Sequence, residues 1–257
     1  MTKSIPKLKF IKAPLDETCN TIHRFLMKEH IFDWSEMIYK EYPELRTKLK
    51  DAKNAKAKKD IICEFFRIVS INKKNFLENK ISSFQKEWNK INDDVMKALS
   101  EIVKLDWPNS DKEFTARVTL NYICICLIKK RVFDVYYKQD TLEMKETCIH
   151  EILHFIYSEK FMKVFPEAKI NDLANPPKLA WHLLEIVPEI LLNDNRIQIV
   201  FKNKFESYKE YRNLKINGKP LLSYIQAFYD KRKNFEEFLK ESYEFLKKHE
   251  KEIKSIK

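Results

Sequence analysis

Apolar residues recur three and four positions apart through most of the first hundred residues. This spacing places the apolar side chains on one face of a helix. The segments that show it are DETCNTIHRFLMKEH (16–30), DWSEMIYKEYPELRTKLKDA (33–52), KDIICEFFRIVSI (59–71) and KNFLENKISSFQKEWNKINDDVMKALSEIVKL (74–105). The next segment, DWPNSDKE, combines residues that favour turns. The pattern therefore predicts a helical N-terminal region that ends near residue 105.

The pattern changes in FTARVTLNYICICLIKKRVFDVYYK (114–138), which is rich in β-branched and aromatic residues. Alternate positions share one face, as in a half-buried strand. These positions are Val118, Leu120, Tyr122, Cys124 and Cys126. RVFDVYY (131–137) predicts a second strand, which the polar KKR joins to the first. We interpret the C-x-C pair, Cys124 and Cys126, as core thiols, because side chains two apart on a strand share one face.

A long helical pattern follows in TLEMKETCIHEILHFIYSEKF (141–161). Gly and Pro are both missing from its sequence, so nothing there predicts a break. Thr141 is the predicted N-cap, and Met144 occupies the place where a capping box has Glu or Gln. One apolar face would anchor this helix in the core; it consists of Ile149, Ile152, Leu153 and Ile156.

The same segment holds His150, Glu151 and His154 in the spacing H-E-x-x-H. On a helix the two histidines lie one turn apart on one face and can converge on a single ion. Glu151 lies about 100° around the helix from His150, beside such an ion rather than bound to it. The pattern is typical of zinc enzymes in which the glutamate acts as general base. The alternative interpretation is a pair of hydrogen-bonded core histidines.

A catalytic zinc ion takes three protein ligands and keeps one position open. The chain after His154, FIYSEKFMKVF, lacks the Gly and His of the metzincin pattern H-E-x-x-H-x-x-G-x-x-H, which excludes that class. The helix predicted from Asn175 (N-cap) and Pro176 contains WHLLEIVPEILLND (181–194). Its polar positions form one stripe at i, i+3 and i+7, namely His182, Glu185 and Glu189. Periodicity leaves both glutamates open as the third ligand, and a stripe that simply faces water is the alternative.

Over roughly residues 114–200 the chain resembles the gluzincin metallopeptidases, whose pattern is H-E-x-x-H plus a glutamate on a following helix. It is most similar to bacterial members with a short W-H-x-x-E-I helix. The resemblance implies a Zn²⁺ ion held by His150, His154 and Glu185, with Glu151 as general base. It also implies a peptide or protein substrate that an edge strand, here from residues 114–137, would align.

The chain departs from the gluzincin pattern N-E-x-x-S-D, because Leu184 precedes Glu185 and Glu189 stands four residues later. We favour Glu185 as the ligand, since Pro188 would kink the helix and re-aim its second half. Glu189 or Asn193 would then accept a hydrogen bond from a ligand histidine. His182 or Tyr157 would donate a hydrogen bond to the oxyanion.

The chain of 257 residues has one glycine, Gly218, and such scarcity favours helices over the tight turns of all-β folds. We therefore expect a mainly α fold with a small β-sheet (α+β). A zincin-like core at 106–200 would lie between helical regions at 1–105 and 201–257, with one compact domain as the alternative.

The net charge of +11 arises at the two ends, because residues 61–200 carry 20 basic and 20 acidic side chains. Basic ends allow a second hypothesis, a helical regulatory or nucleic-acid-associated protein with a structural or inactive zinc site. A closed site would need a fourth protein ligand, for which His182 is the candidate. Lys far outnumbers Arg, which disfavours a protein specialised for recognising phosphate groups, because such proteins usually use more Arg.

Five scattered cysteines, an odd number, favour reduced thiols in a cytoplasm over a disulfide framework. The sequence shows neither a signal-peptide pattern nor an apolar run long enough to span a membrane. We therefore expect a cytoplasmic protein without a membrane span. The pattern does not specify an oligomeric state.

Overall fold

The computed structural model describes residues 5–27 and 33–256. The helices are α1 (Leu15–Leu26), α2 (Ser35–Glu41), α3 (Pro43–Leu49), α4 (Ala55–Asn72), α5 (Lys74–Asn89), α6 (Asn92–Val103), α7 (Thr141–Val164), α8 (Ile170–Ala174), α9 (Leu179–Leu191), α10 (Asn195–Val200), α11 (Lys209–Asn213), α12 (Leu221–Lys231), α13 (Phe235–Lys248) and α14 (Glu250–Lys254). The strands are β1 (Lys7–Lys12), β2 (Glu113–Thr119), β3 (Cys126–Leu127), β4 (Val132–Tyr136), β5 (Lys215–Ile216) and β6 (Lys219–Pro220). This composition confirms the mainly α fold with a small β-sheet.

The larger sheet has the strand order β1-β2-β4-β3. β1, β2 and β4 are parallel, while the short β3 pairs antiparallel with β4 and forms one edge. Arg117 on β2 lies opposite Asp134 on β4, and the two buried side chains form an ion pair at 2.7 Å. β5 and β6 form a separate hairpin through Asn217 and Gly218, both with positive φ. Asn-Gly suits such a two-residue turn because both residues tolerate this backbone region.

The predicted strand through Cys126 is wrong beyond Thr119, where β2 ends. At this point side-chain oxygens, and not a neighbouring strand, accept hydrogen bonds from the backbone N–H groups. The backbone N–H of Asn121 donates to the Thr119 hydroxyl, and that of Ile123 donates to the Asn121 side-chain oxygen. Such local bonds compete with the strand ladder and turn the chain. Residues 120–125 consequently leave the sheet and return as the antiparallel edge strand β3.

The N-terminal strand β1 was not predicted from the sequence. Its Leu8 and Phe10 are buried, while Lys7 and Lys9 between and beside them are exposed. The alternation in KLKFIK was a readable strand signal. The β1 backbone also bonds to side chains of the helical region, since Phe10 N–H donates to Gln85 Oε1 at 2.9 Å.

Helices α1 to α6 occupy most of the described residues from 15 to 103, and they divide the predicted segments further. The segment at 33–52 breaks at Tyr42, because Pro43 begins a new helix at its first position. The segment at 74–105 breaks at Lys90 and Ile91 between α5 and α6. Residues 28–30 of the first predicted helix lie outside the described residues.

Buried apolar side chains from Leu8 to Ile256 form one continuous cluster. It draws on all three predicted regions, and α7 crosses it in contact with β4, α6, α9 and α13. Within residues 5–27 and 33–256, no helix is long and apolar enough to cross a membrane.

Candidate metal centre

The N-cap of helix α7 lies one residue earlier in the sequence than predicted. Asp140, not Thr141, is the N-cap, because its carboxylate accepts from Glu143 N–H at 2.9 Å. The Glu143 carboxylate accepts in return from Asp140 N–H at 2.9 Å, so the capping box is complete. The predictions of Thr141 as N-cap and of an incomplete box at Met144 are therefore wrong. Asp is preferred over Thr as an N-cap residue, and its ionised carboxylate acts only as an acceptor.

The apolar face of α7 lies fully in the core, as its spacing predicted. Ile149, Ile152, Leu153 and Ile156 are all 0% exposed. Burial of this face fixes the rotation of the helix. His150 and Glu151 consequently face a cavity, while His154, one turn deeper, is only 2% exposed.

Helix α9, which packs against α7, begins at Leu179 with Lys178 as its N-cap residue. The predicted N-cap at Asn175 is wrong, since Asn175 ends α8 and its side chain donates to the Asn171 carbonyl. A residue before proline is disfavoured in the helical region, and Pro176 itself precedes Pro177. The helix therefore starts only after both prolines.

The two helices bring His150, His154 and Glu185 together. Glu185 Oε2 lies 3.7 Å from His150 Nε2, and Glu185 Oε1 lies 4.0 Å from His154 Nε2. Bonds of 2.0–2.2 Å to a tetrahedral zinc ion would place ligand atoms about 3.4 Å apart. The two Glu185 distances, which end on different carboxylate oxygens, exceed this spacing by less than about 1 Å, so the side chains would have to close in to share one ion.

Glu189 lies one turn further along α9 and faces a different partner. Its carboxylate accepts from Ser207 N–H and from the Ser207 hydroxyl, both at 2.8 Å. Asn193 pairs with the backbone of Phe205. Neither residue bonds to His150 or His154, so the prediction that they support a ligand histidine is wrong. Helix α9 also runs on through Pro188 to Leu191, so Glu185 and Glu189 are separated by their positions on one continuous helix.

Glu151 stands beside the three converging side chains. One potential ligand atom from each of Glu151, His150 and His154 lies within 4.8 Å of the other two. The Glu151 Oε2 atom is buried and has no hydrogen-bond partner in the described part of the chain. Burial raises the pKa of Glu151 to about 7, with Glu185 and Asp134 adding to the rise and His150 and Cys126 opposing it. A buried acceptor left open in this way suits a water molecule held next to a metal ion.

The two histidines differ in their electrostatic surroundings. Burial, with the neighbouring His150, lowers the pKa of His154 to about 3, so its ring is neutral at pH 7. Burial also opposes the charging of His150, but the hydrogen bond to Glu185 and the nearby Glu151 raise its pKa. Burial acts against ionised Glu185 as well, and His154 and His150 outweigh it and lower its pKa. His150 and Glu185 thus stabilise each other's charged form.

His182 and Tyr157 lie away from the cavities beside His150 and His154. His182 is 0% exposed, and its Nδ1 lies 2.9 Å from the buried Tyr211 hydroxyl. Tyr157 is also 0% exposed and stacks on Phe161, and neither residue lines the two cavities beside the metal centre. Among the described residues, the group of ligand atoms within 4.8 Å of one another consists of His150, Glu151 and His154, so it lacks both His182 and Glu185. The side chains of His182 and Tyr157 are packed in the core.

Tyr208 borders the candidate centre, where the sequence predicts His182 or Tyr157 as the hydrogen-bond donor to the oxyanion. It lines both cavities, and the bonds of Glu189 to Ser207 hold its segment beside the centre. Burial of its hydroxyl and the charges of Glu185 and Glu151 raise its pKa well above the usual value, so it stays a proton donor. No local pattern marks Tyr208, because the contact that positions it joins two separate segments.

Cys124 and Cys126 are half-buried and line the cleft instead of packing wholly in the core. Burial raises the pKa of both thiols well above the usual value, and nearby carboxylates add to this effect. Asp134 and Glu151 act on Cys124, and Glu151 acts on Cys126. Protonated thiols of this kind are poor nucleophiles.

The donor set of two imidazoles and a carboxylate fits a zinc ion, and the open Glu151 oxygen fits the adjacent water. No protein-family model matches the chain, and neither does any curated protein or any solved structure.

Proposed function

We propose that this protein is a zinc-dependent metallopeptidase of the gluzincin type, with His150, His154 and Glu185 as its metal ligands. The observation that carries the proposal is the approach of Glu185 to both histidine Nε2 atoms, at 3.7 and 4.0 Å. H-E-x-x-H alone is a local pattern. A carboxylate from a separate helix at the same point is independent support for a metal site.

A zinc ion bound there would polarise the substrate carbonyl and acidify a coordinated water. Glu151 accepts the proton of the attacking water and passes it to the leaving amine, since its Oε2 has no competing hydrogen bond among the described residues. The Tyr208 hydroxyl donates a hydrogen bond to the carbonyl oxygen as negative charge develops there.

The edge strand β3 aligns the substrate. β3 forms the edge of the larger sheet beyond β4, and the residues from Ile125 to Leu127 line the cavity next to His154. An extended peptide adds to such an edge through main-chain hydrogen bonds, which orient it without selecting its sequence. The scissile bond then lies between the strand and helix α7.

The test is the substitution Glu151→Gln, which removes the base and leaves the three ligands in place. We expect the variant to keep about one zinc ion per chain, measured by elemental analysis, and to lose hydrolysis by at least about 100-fold. The substrate is a quenched-fluorescent peptide library, and wild-type protein is the reference. His150→Ala is the comparison that loses the metal.

Two results would contradict the proposal. One is wild-type protein that holds no transition metal after zinc supplementation. The other is wild-type protein that holds zinc but cuts no library peptide in a Glu151-dependent manner, as a structural or inactive site would.

A further inference from the structure

Two cavities of about 710 and 590 Å³ meet at the metal centre and form one cleft. Both are lined by Ile123, Cys124, Glu185 and Tyr208. We call the larger the acidic lobe, because Glu143, Glu146, Glu189 and Glu206 line it in addition to the centre. We call the smaller the basic lobe, because Arg24, Lys129 and Lys130 line it. The cleft therefore changes charge from one end to the other, although the whole chain carries +11.

The charge of each lobe is not neutralised, because few residues of the opposite charge line it. Lys138 is the only Lys or Arg among the described residues that line the acidic lobe, and it pairs with Glu41. In the basic lobe, Arg24, Lys129 and Lys130 are exposed and form no ion pair with any described residue. Among the described residues, Glu185 is the only carboxylate that lines the basic lobe, and it belongs to the proposed metal centre.

Glu146 is the carboxylate of the acidic lobe that remains available. Glu143 caps α7, Glu189 binds Ser207, and Glu206 pairs with Arg212. Glu146, half-buried and one turn before His150, accepts only from the Asn203 side chain, at 3.3 Å, within the described residues. The Glu146 carboxylate also interacts with the charge of His150, and a cationic side chain of a ligand would further offset the cost of burying this carboxylate.

The walls of the acidic lobe fit the stem of such a side chain. Tyr122 is 42% exposed, and its ring centroid lies 5.3 Å from that of Tyr136. Tyr136 is only 5% exposed, lines the lobe, and its hydroxyl has no hydrogen-bond partner in the described chain. Aromatic faces accept the aliphatic stems and the cationic heads of Lys and Arg.

The course of the chain sets the direction of a bound peptide. Tyr122 lines the acidic lobe, Ile123 and Cys124 line both lobes, and residues 125–130 line the basic lobe. The chain from Tyr122 to Lys130 therefore runs from the acidic to the basic lobe, and β3 (Cys126–Leu127) follows this direction along the basic lobe. A peptide paired antiparallel to it, the slightly more stable arrangement, runs from the basic to the acidic lobe.

We propose that the cleft selects extended peptides that carry an acidic side chain before the scissile bond and a Lys or Arg side chain after it. This proposal rests on the proposed peptidase function for the position of the scissile bond. The charge selectivity itself is a property of binding and can be measured without hydrolysis.

The experiment measures peptide binding to zinc-loaded, full-length Glu151→Gln protein by fluorescence anisotropy with a neutral label. One peptide has two aspartates before and two lysines after a central Ala–Leu pair, and the other has the reverse charge order. We expect the first peptide to bind about tenfold more tightly, with a difference that shrinks as salt is raised. Equal affinities, or tighter binding of the reversed peptide, would overturn the proposal.

A second substitution, Glu146→Gln, locates the effect. In the same background it should weaken binding of the first peptide by about three- to tenfold. Glu241→Gln, an equal change of charge on the exposed face of α13, should leave the affinity unchanged. Zinc content and melting temperature of each variant show that the fold is retained. No effect of Glu146→Gln, or the same effect from Glu241→Gln, counts against the acidic lobe.

The two proposals fail separately. Cleavage of peptides by wild-type protein without any preference for charge order would leave the peptidase function and remove the selectivity. A clear preference in binding without cleavage by zinc-loaded wild-type protein would leave the selectivity and remove the peptidase function.

Discussion

Glu185 and Glu189 stand one turn apart on α9, yet their carboxylates have different surroundings. Glu185 faces two imidazole rings, whereas Glu189 accepts two hydrogen bonds from Ser207. Ser207 precedes Tyr208, so Glu189 holds the segment that carries the proposed oxyanion donor. We infer that Glu185 acts on the metal and Glu189 acts on the position of Tyr208.

Alanine substitutions should separate these roles. Glu185→Ala should weaken zinc binding by more than the roughly 10–100-fold that loss of an outer-shell partner typically costs, because it removes a direct ligand. Glu189→Ala should change zinc affinity by less than about tenfold and lower kcat, because Tyr208 loses its support. Competition with a chelator at fixed pH measures the affinities. A larger loss of zinc affinity in Glu189→Ala would transfer the ligand role to Glu189.

Helix α7 combines a capped start with a fully buried apolar face. The reciprocal bonds of Asp140 and Glu143 satisfy backbone donors at its first turn. The helix then carries the His-Glu-His cluster within its third and fourth turns. The stability of the first turn of α7 therefore affects how firmly the helix holds His150, Glu151 and His154 in place.

Asp140→Ala should lower the free energy of unfolding by about 1 kcal/mol, because a capping carboxylate is lost. The matched variant is Thr141→Ala, at the neighbouring exposed position, which should change it by less than about 0.5 kcal/mol. Urea unfolding monitored by circular dichroism gives both values. A larger loss in Thr141→Ala would restore Thr141 as the cap.

The proposed metal centre joins α7 to α9, two helices that belong to one continuous core. An ion bound at this point should stabilise the whole molecule, because it binds the folded arrangement and not the unfolded chain. His150 on α7 and Glu185 on α9 lie 3.7 Å apart across the two helices.

Zinc should consequently raise the melting temperature. At a free concentration of 100 times Kd the gain is about 2.7 kcal/mol, which corresponds to a rise of roughly 5–10 °C for a chain of this size. Differential scanning calorimetry with and without a chelator measures it. The double variant His150→Ala/His154→Ala should show no rise, and an equal rise in that variant would place the zinc elsewhere.

The sequence by itself determined the features that depend on local spacing. H-E-x-x-H and the apolar face of α7 lie within two turns of one helix, so their relative directions follow from 3.6 residues per turn. The helical N-terminal region followed from the same periodicity. Gly218 illustrates the limit of composition, because the single glycine predicted few tight turns but not the Asn217–Gly218 hairpin itself.

The tertiary structure decided everything that depends on contacts between distant segments. Periodicity placed Glu185 and Glu189 on one stripe, and only the packing of α9 against α7 turned Glu185 towards the histidines. Tyr208 entered the cleft through the bonds of Ser207 to Glu189, while His182 and Tyr157 were packed inside. The charge difference between the lobes likewise joins residues from separate helices and loops. Chain spacing cannot specify such neighbours, because burial of the common core sets where each element lies.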